Sequence, residues 1–384
     1  MADYSRVAQS VPASGVRDIM ERALHMSDVI RLEVGEPAFA PAEHVTDAVA
    51  RYVREGDTHY VANAGIMDVR RAAAGYLQRL TGVTTQAEQV MVTSGAMQAL
   101  SHAFNILLDP GDEILLPDPG WPNYTMAAAL RQATAVYYPL PGEQGFLPAV
   151  DDLQRLVTRR CKAILLCTPS NPTGQKLDPE LLGALGRFAE QHDLFVISDE
   201  VYAEIVFDGD PVSALQHIDP QRVIGIFSLS KSHAMTGFRI GITRASESYV
   251  TLATNLQEAT TSCPTAFAQR AAIDALQGPQ DYVAQMREAY RERRDLAVQV
   301  LREYGLYEYT PRGAFYLLVN IARSRMSSHS FALILLQEQR VAVAPGDCFG
   351  EVSAAHVRVS LAASAADVEA GLRRLCDTVN RAAA

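Results

Sequence analysis

From about residue 88 the chain alternates short apolar, β-branched runs with longer stretches whose apolar positions recur at the helical period. The runs are QVMVTS, DEILLP, TAVYYPL, KAILLCT, LFVISDE, VIGIFSL and RIGITRA, and helical patterns such as MQALSHAFNILL and PELLGALGRFAEQH separate several of them. Short runs that are apolar throughout suit strands buried on both faces. The pattern therefore predicts an α/β fold in which a mostly parallel sheet lies between helices. In such sheets ligands bind outside the carboxyl ends of the strands, so the polar residues after each run are the ones to inspect.

Beyond about residue 280 the pattern changes. QDYVAQMREAYRERRDLAVQVLREYG is a long, charged helical stretch suited to connecting two domains. FYLLVN, a helix around FALILLQEQ, then VAVAPG and HVRVSLA form a second, smaller α/β unit, which the N-terminal segment is expected to join. A chain of 384 residues is too long for one compact core. The expected division is an N-terminal arm over 1–40, a large ligand-binding domain over 41–285 and a small domain over 286–384.

Composition narrows the function classes. With 48% hydrophobic and 20% charged residues the chain is an ordinary globular protein. Its net charge of -10, with lysines and arginines scattered, offers no basic field, so nucleic acid is not an expected partner. The start MADYSRVAQS has neither a positive nor an apolar leader region, and no apolar run is long enough to span a bilayer; no signal peptide and no membrane association are expected. Five cysteines, Cys161, Cys167, Cys263, Cys348 and Cys376, are odd in number and lack a CxxC pair. Neither a disulfide framework nor a metal site is expected, and a reducing cytoplasm fits best.

The most informative stretch is SLSKSHAMTGFRIG, 228–241. A lysine amine becomes a useful nucleophile when it is desolvated or lies near another cation, and Arg239 can be that cation for Lys231 while also holding a phosphate. Lysine and phosphate together are what a pyridoxal phosphate site requires. Ser94, Gly95 and Ala96 close one strand run and open a helix, where free N–H groups and the helix dipole favour an anion. TPSNPTG places Asn171 in a turn after KAILLC. LFVIS delivers Asp199 at its end, with Tyr202 close behind; a carboxylate at the end of a buried strand needs a cationic partner, such as a protonated pyridine nitrogen. Trp121, the only tryptophan, stands at another strand end in PDPGWPNY and can stack on a flat ring. An amide, a carboxylate with a phenol, and an amine thus follow consecutive strands.

With these motifs the chain resembles, essentially end to end, a fold-type I, pyridoxal-phosphate-dependent aminotransferase of class I. SLSKSHAMTGFRIG fits the lysine signature of that class, and NPTG, the Asp199–Tyr202 motif, WPNY, GAFY and VRVS stand in the expected order. The resemblance implies a seven-stranded sheet in the large domain. It makes Lys231 the residue that carries the cofactor covalently and later moves protons. Asp199 would pair with the pyridine nitrogen, Asn171 and Tyr202 would bond the cofactor's phenolic oxygen, and Trp121 would stack on the ring. Gly95, Ala96 and Met97 backbone groups, Ser228 and Arg239 would hold the phosphate. Tyr60 would reach the phosphate of the neighbouring subunit, implying a homodimer with shared active sites. Arg358 would grip the substrate's α-carboxylate, which Gly35 would also meet through its backbone; Trp121 and Asn171 would touch the substrate as well.

The implied reaction is a ping-pong exchange of an amino group between an L-amino acid and a 2-oxo acid. Aspartate-preferring relatives often place a lysine in the Gly-rich turn where this chain has Met97, while SGVRDI over 14–19 resembles a segment that closes over the substrate in broad or aromatic-preferring members. Broad, aromatic or aspartate-type substrates all stay open. A lyase, cyclase or oxidative enzyme on the same fold remains an alternative, because such chemistries share their first steps. A non-catalytic effector-sensing domain is a remoter one, since no DNA-binding helix-turn-helix fits before residue 30. No GxGxxG follows the early strands, which disfavours a nicotinamide enzyme.

Overall fold

Twelve strands form in the computed structural model, which describes residues 3–12 and 15–383. In chain order they are β1 (Ile30–Arg31), β2 (Val90–Ser94), β3 (Glu113–Asp118), β4 (Thr134–Pro139), β5 (Cys161–Cys167), β6 (Phe195–Asp199), β7 (Val223–Ser228), β8 (Ile240–Arg244), β9 (Tyr316–Asn320), β10 (Val341–Ala342), β11 (Ala344–Pro345) and β12 (His356–Ser360). Each of the seven apolar runs became a strand of one sheet, ordered β2-β8-β7-β6-β5-β3-β4. All neighbours pair in parallel except β8, which is antiparallel to both β2 and β7. The central strands are buried on both faces, which is why their sequences show no apolar–polar alternation.

Helices pack on each face and leave two separate apolar layers. Met67–Thr81 and Ala266–Gln277 contribute Leu77, Ala271 and Ala272 to one, where they meet Val92, Ile164 and Val196 of the sheet. Ala96–Leu107 and Pro122–Leu130 contribute Phe104 and Tyr124 to the other, against Leu116, Leu165 and Ile197. Alternate residues of a strand point to opposite faces, so Ile164 and Leu165 serve different layers.

The second unit is an antiparallel sheet of order β11-β12-β9, backed by the helices Ser328–Gln339 and Ala365–Ala383. β1 pairs in parallel with β10, joining the N-terminal segment to this unit. The expected division at residue 285 falls inside one continuous helix, Asp281–Glu303, whose Met286, Tyr290, Ala297 and Leu301 lie in the second unit's core. No helix among the described residues is long and apolar enough to cross a membrane.

Candidate active site

Register explains why residues distant in sequence meet. Asp199, the last residue of β6, lies opposite Cys167 at the end of β5 and Ile226 near the end of β7. Asn171 follows β5 and Lys231 follows β7, so all three leave the sheet at the same end. β8 runs the other way, pairing Gly241 with Ser228 and Ile240 with Ser94. Its beginning, rather than its end, therefore joins the carboxyl ends of β2 and β7 and delivers Arg239 there.

These residues surround a cavity of about 490 Å³. Gly35, Ala96, Met97, Trp121, Asn171, Asp199, Tyr202, Ser228, Lys231, Arg239 and Arg358 line it. Of the other residues singled out in the sequence, Gly95 sits just behind the wall as the N-cap of Ala96–Leu107. Tyr60 is 89% exposed and does not line this cavity. Of the SGVRDI segment, Ser14 lies outside the described residues, while Val16 and Arg17 line the cavity.

One end of the cavity is built for an oxyanion. Gly95 has φ +79°, and a Cβ there would stand 2.3 Å from Nη2 of Arg239, so only glycine allows the arginine to lie across the helix start. A Cβ on Gly241 would likewise come within 2.7 Å of the Ala96 nitrogen. The amides that open Ala96–Leu107 therefore stand beside a guanidinium, with the Ser228 and Ser230 hydroxyls, 3.0 Å apart, close by.

The amine and carboxylate lie deeper. Lys231 Nζ donates to the Gly35 carbonyl at 2.6 Å. Burial lowers its pKa to about 8; Glu36 opposes that shift, while Arg358 and Arg239 add to it. Asp199 accepts from the Tyr124 hydroxyl at 2.7 Å. Burial nonetheless raises its carboxyl to about 6, because that hydrogen bond and one from the Val201 amide do not replace the lost water. The Tyr202 hydroxyl meets that of Tyr316 at 3.0 Å, and burial pushes the Tyr202 phenol far up.

Arg358 is wholly enclosed. Nη1 donates to Asn171 Oδ1 at 3.0 Å and Nη2 to the Glu33 carbonyl at 2.6 Å, while the Tyr316 and Phe349 rings cover it at 4.4 and 4.8 Å. Nε is buried with no partner among the described residues. An orphaned donor on a buried guanidinium points to an anion that completes the set.

Tyr124, Tyr316, Phe349 and Glu36 belong to this site although the sequence did not single them out. Tyr124 and Tyr316 stand in the WPNY and GAFY motifs, the only signal for them. That their phenols reach Asp199 and Tyr202 depends on helix and strand geometry that spacing does not reveal. A Cβ on Gly35 would fall 1.9 Å from the Tyr316 hydroxyl, so Gly35 is glycine because a phenol occupies its side-chain space.

A sheet between helices whose strand ends gather a lysine of lowered pKa, a buried carboxylate and a row of helix-start amides beside a guanidinium is the class of site that suits an enzyme acting on anionic, amine-bearing ligands. Residues 27–375 match the family model for aminotransferase class I and II, and the chain belongs to that family. It is an aminotransferase with the fold-type I architecture. An aspartate aminotransferase of Pyrococcus horikoshii is 35% identical over 92% of this chain and 91% of its own length. An aromatic-amino-acid aminotransferase of Thermococcus litoralis is 33% identical over 96% of both chains. The solved structure of the Thermus thermophilus aspartate aminotransferase with maleate superposes with a TM-score of 0.94 at 33% identity, covering 98% of this chain and 100% of that one.

Proposed function

We propose that this aminotransferase holds pyridoxal phosphate in the cavity and exchanges an amino group between an L-amino acid and a 2-oxo acid in two half-reactions. The observation that carries the reading is the lowered pKa of Lys231, about 8, in a cavity that also contains an anion cradle and an enclosed arginine. The donor set fits the cofactor. The helix start with Gly95, Ala96 and Met97, together with Ser228 and Arg239, would take the phosphate; Asp199 would take the ring nitrogen, Asn171 and Tyr202 the phenolic oxygen, and Trp121 would pack on the ring. When bound, the cofactor supplies an electron sink for the pair released when the substrate loses its Cα proton.

The chain's own groups do the rest. Lys231 would hold the cofactor until a substrate amine displaces it, and its freed neutral amine would then take the proton from the substrate Cα and deliver it to the cofactor's C4′. A positioned base of this kind is worth ~10²–10⁴-fold in rate. Asp199, as a carboxylate, would hold positive charge at the ring nitrogen, where burial would make the pairing strong. Arg358, with Gly35 beside it, fixes the substrate's α-carboxylate and so orients Cα toward Lys231. Val16, Met20 and Met97 give the cavity lining apolar side chains that support large substrates, and Arg17 in the same lining supports acidic ones; a broad range is the reading that takes in both.

We further propose that segments 1–40, 41–285 and 286–384 work as arm, cofactor domain and small domain of a cytoplasmic homodimer. The exposure of Tyr60, away from its own cavity, supports its serving the partner's phosphate. The test is the absorbance spectrum of the purified protein as amino acids are added singly, with Lys231→Ala alongside. A visible band that bleaches with particular amino acids and returns with 2-oxo acids supports transamination and ranks substrates. A band that no amino acid bleaches reversibly overturns the reading.

A further inference from the structure

Beside the cavity, one side chain of the large domain is held by the backbone of the small one. Asp118, the last residue of β3, is buried, and its two carboxylate oxygens each accept one backbone N–H from the turn after β11: Oδ2 from Glu351 and Oδ1 from Val352, both at 3.1 Å. Gly120 N–H donates to the Phe349 carbonyl in the same turn at 2.8 Å. Gly350 has φ +140°, and a Cβ there would fall 2.0 Å from Asp118 Oδ1, so the turn fits the carboxylate only because this position has no side chain. The residue the turn carries into the cavity is Phe349, whose ring covers one face of the Arg358 guanidinium.

We infer that Asp118 is a positioning residue for substrate binding: by clasping the 349–352 turn it holds Phe349 over Arg358 and fixes the plane in which that guanidinium presents its free edge. The inference rests on the proposed role of Arg358 as the α-carboxylate clamp. A guanidinium binds a carboxylate through coplanar, parallel N–H groups, so its orientation matters as much as its charge. The Tyr316 ring fixes one face from within the small domain. The Phe349 ring, whose position is set from the large domain, packs on the same guanidinium, so assembly of the carboxylate site depends on the two domains being in register. The clasp acts on the α-carboxylate, common to every substrate, and is therefore indifferent to the side chain.

The test measures the affinity of the cofactor-loaded enzyme for two unreactive acids, 3-phenylpropionate and succinate, from their perturbation of the visible band, together with kcat and KM for a reactive amino acid. Asp118→Ala is expected to weaken both acids by a similar factor, roughly tenfold, and to raise KM while kcat stays within about twofold. Phe349→Ala is expected to do the same, and the double variant to be no weaker than Phe349→Ala alone, because Asp118 acts through that ring. Gly350→Ala presses on the same carboxylate from the other side and carries the test if Asp118→Ala does not fold. Additive losses in the double variant, a fall in kcat with affinity unchanged, or weakening confined to one acid would overturn the clasp. Arg358→Gln separates the levels. Affinity lost there but kept in Asp118→Ala overturns the clasp alone; affinity kept in Arg358→Gln overturns the clamp and the clasp together.

Discussion

Replacing Asp199 with asparagine is expected to stabilise the cofactor-free protein while removing most of its activity. The carboxyl is buried at the end of β6, and burial raises it from its ordinary 3.8 to about 6, with Tyr124 and Val201 only partly offsetting the loss of water. The folded pKa lies above the unfolded one, so the fold favours the protonated acid. That contribution is complete below about pH 4 and is lost as pH rises through about 6. A shift of roughly two units at 1.36 kcal/mol each leaves wild type carrying about 3 kcal/mol of buried-charge cost at neutral pH. Asparagine is neutral throughout and keeps an oxygen for the Tyr124 hydroxyl. Urea unfolding of both cofactor-free proteins should give similar stabilities near pH 4 and a variant more stable by about 2–3 kcal/mol near pH 7. Adding pyridoxal phosphate should reverse the order, because only the carboxylate gains from a cation placed against it. A pH-independent difference, or a variant less stable than wild type near pH 7, would refute the reasoning.

Other outcomes follow from the same geometry. On the proposed role of Lys231, loading of pyridoxal phosphate onto the cofactor-free enzyme would need its neutral amine, so the rate, followed by the visible band, should climb with pH up to about 8 and level off above; a rate flat from pH 6 to 9 would contradict the depressed amine. Gly95→Ala strains a left-handed position and drives a methyl into Arg239; it should weaken cofactor binding by at least about 1–2 kcal/mol, read by equilibrium titration. Gly35→Ala displaces the Tyr316 hydroxyl and shifts the carbonyl that Lys231 meets, so steady-state kinetics should show a raised KM for all amino acids.

How much of this was legible in the sequence depends on whether the signal is local. All seven strands of the large sheet were readable because each is a short apolar run with turn residues at its ends, and the resemblance of 228–241 to a known signature pointed to Lys231 and Arg239 together. Why those two residues meet was not readable. It depends on β8 reversing direction, so that its beginning and not its end lies beside Ser228 and Ser94, and strand direction leaves no mark on an apolar run. The same limit hid Tyr124, Tyr316 and Phe349. Each is an ordinary aromatic in sequence and gains a role from what stands opposite: a buried carboxylate, another phenol, a guanidinium face. Glycine was the opposite case. Gly35 and Gly95 attracted attention for their backbones, yet in the fold their missing side chains matter as much, since a phenol and an arginine occupy the space a Cβ would take. The proposed catalytic groups are thus written in local motifs, whereas the groups packed against them are written in tertiary structure, and substitutions at the second kind should shift affinity and pH dependence before they abolish turnover.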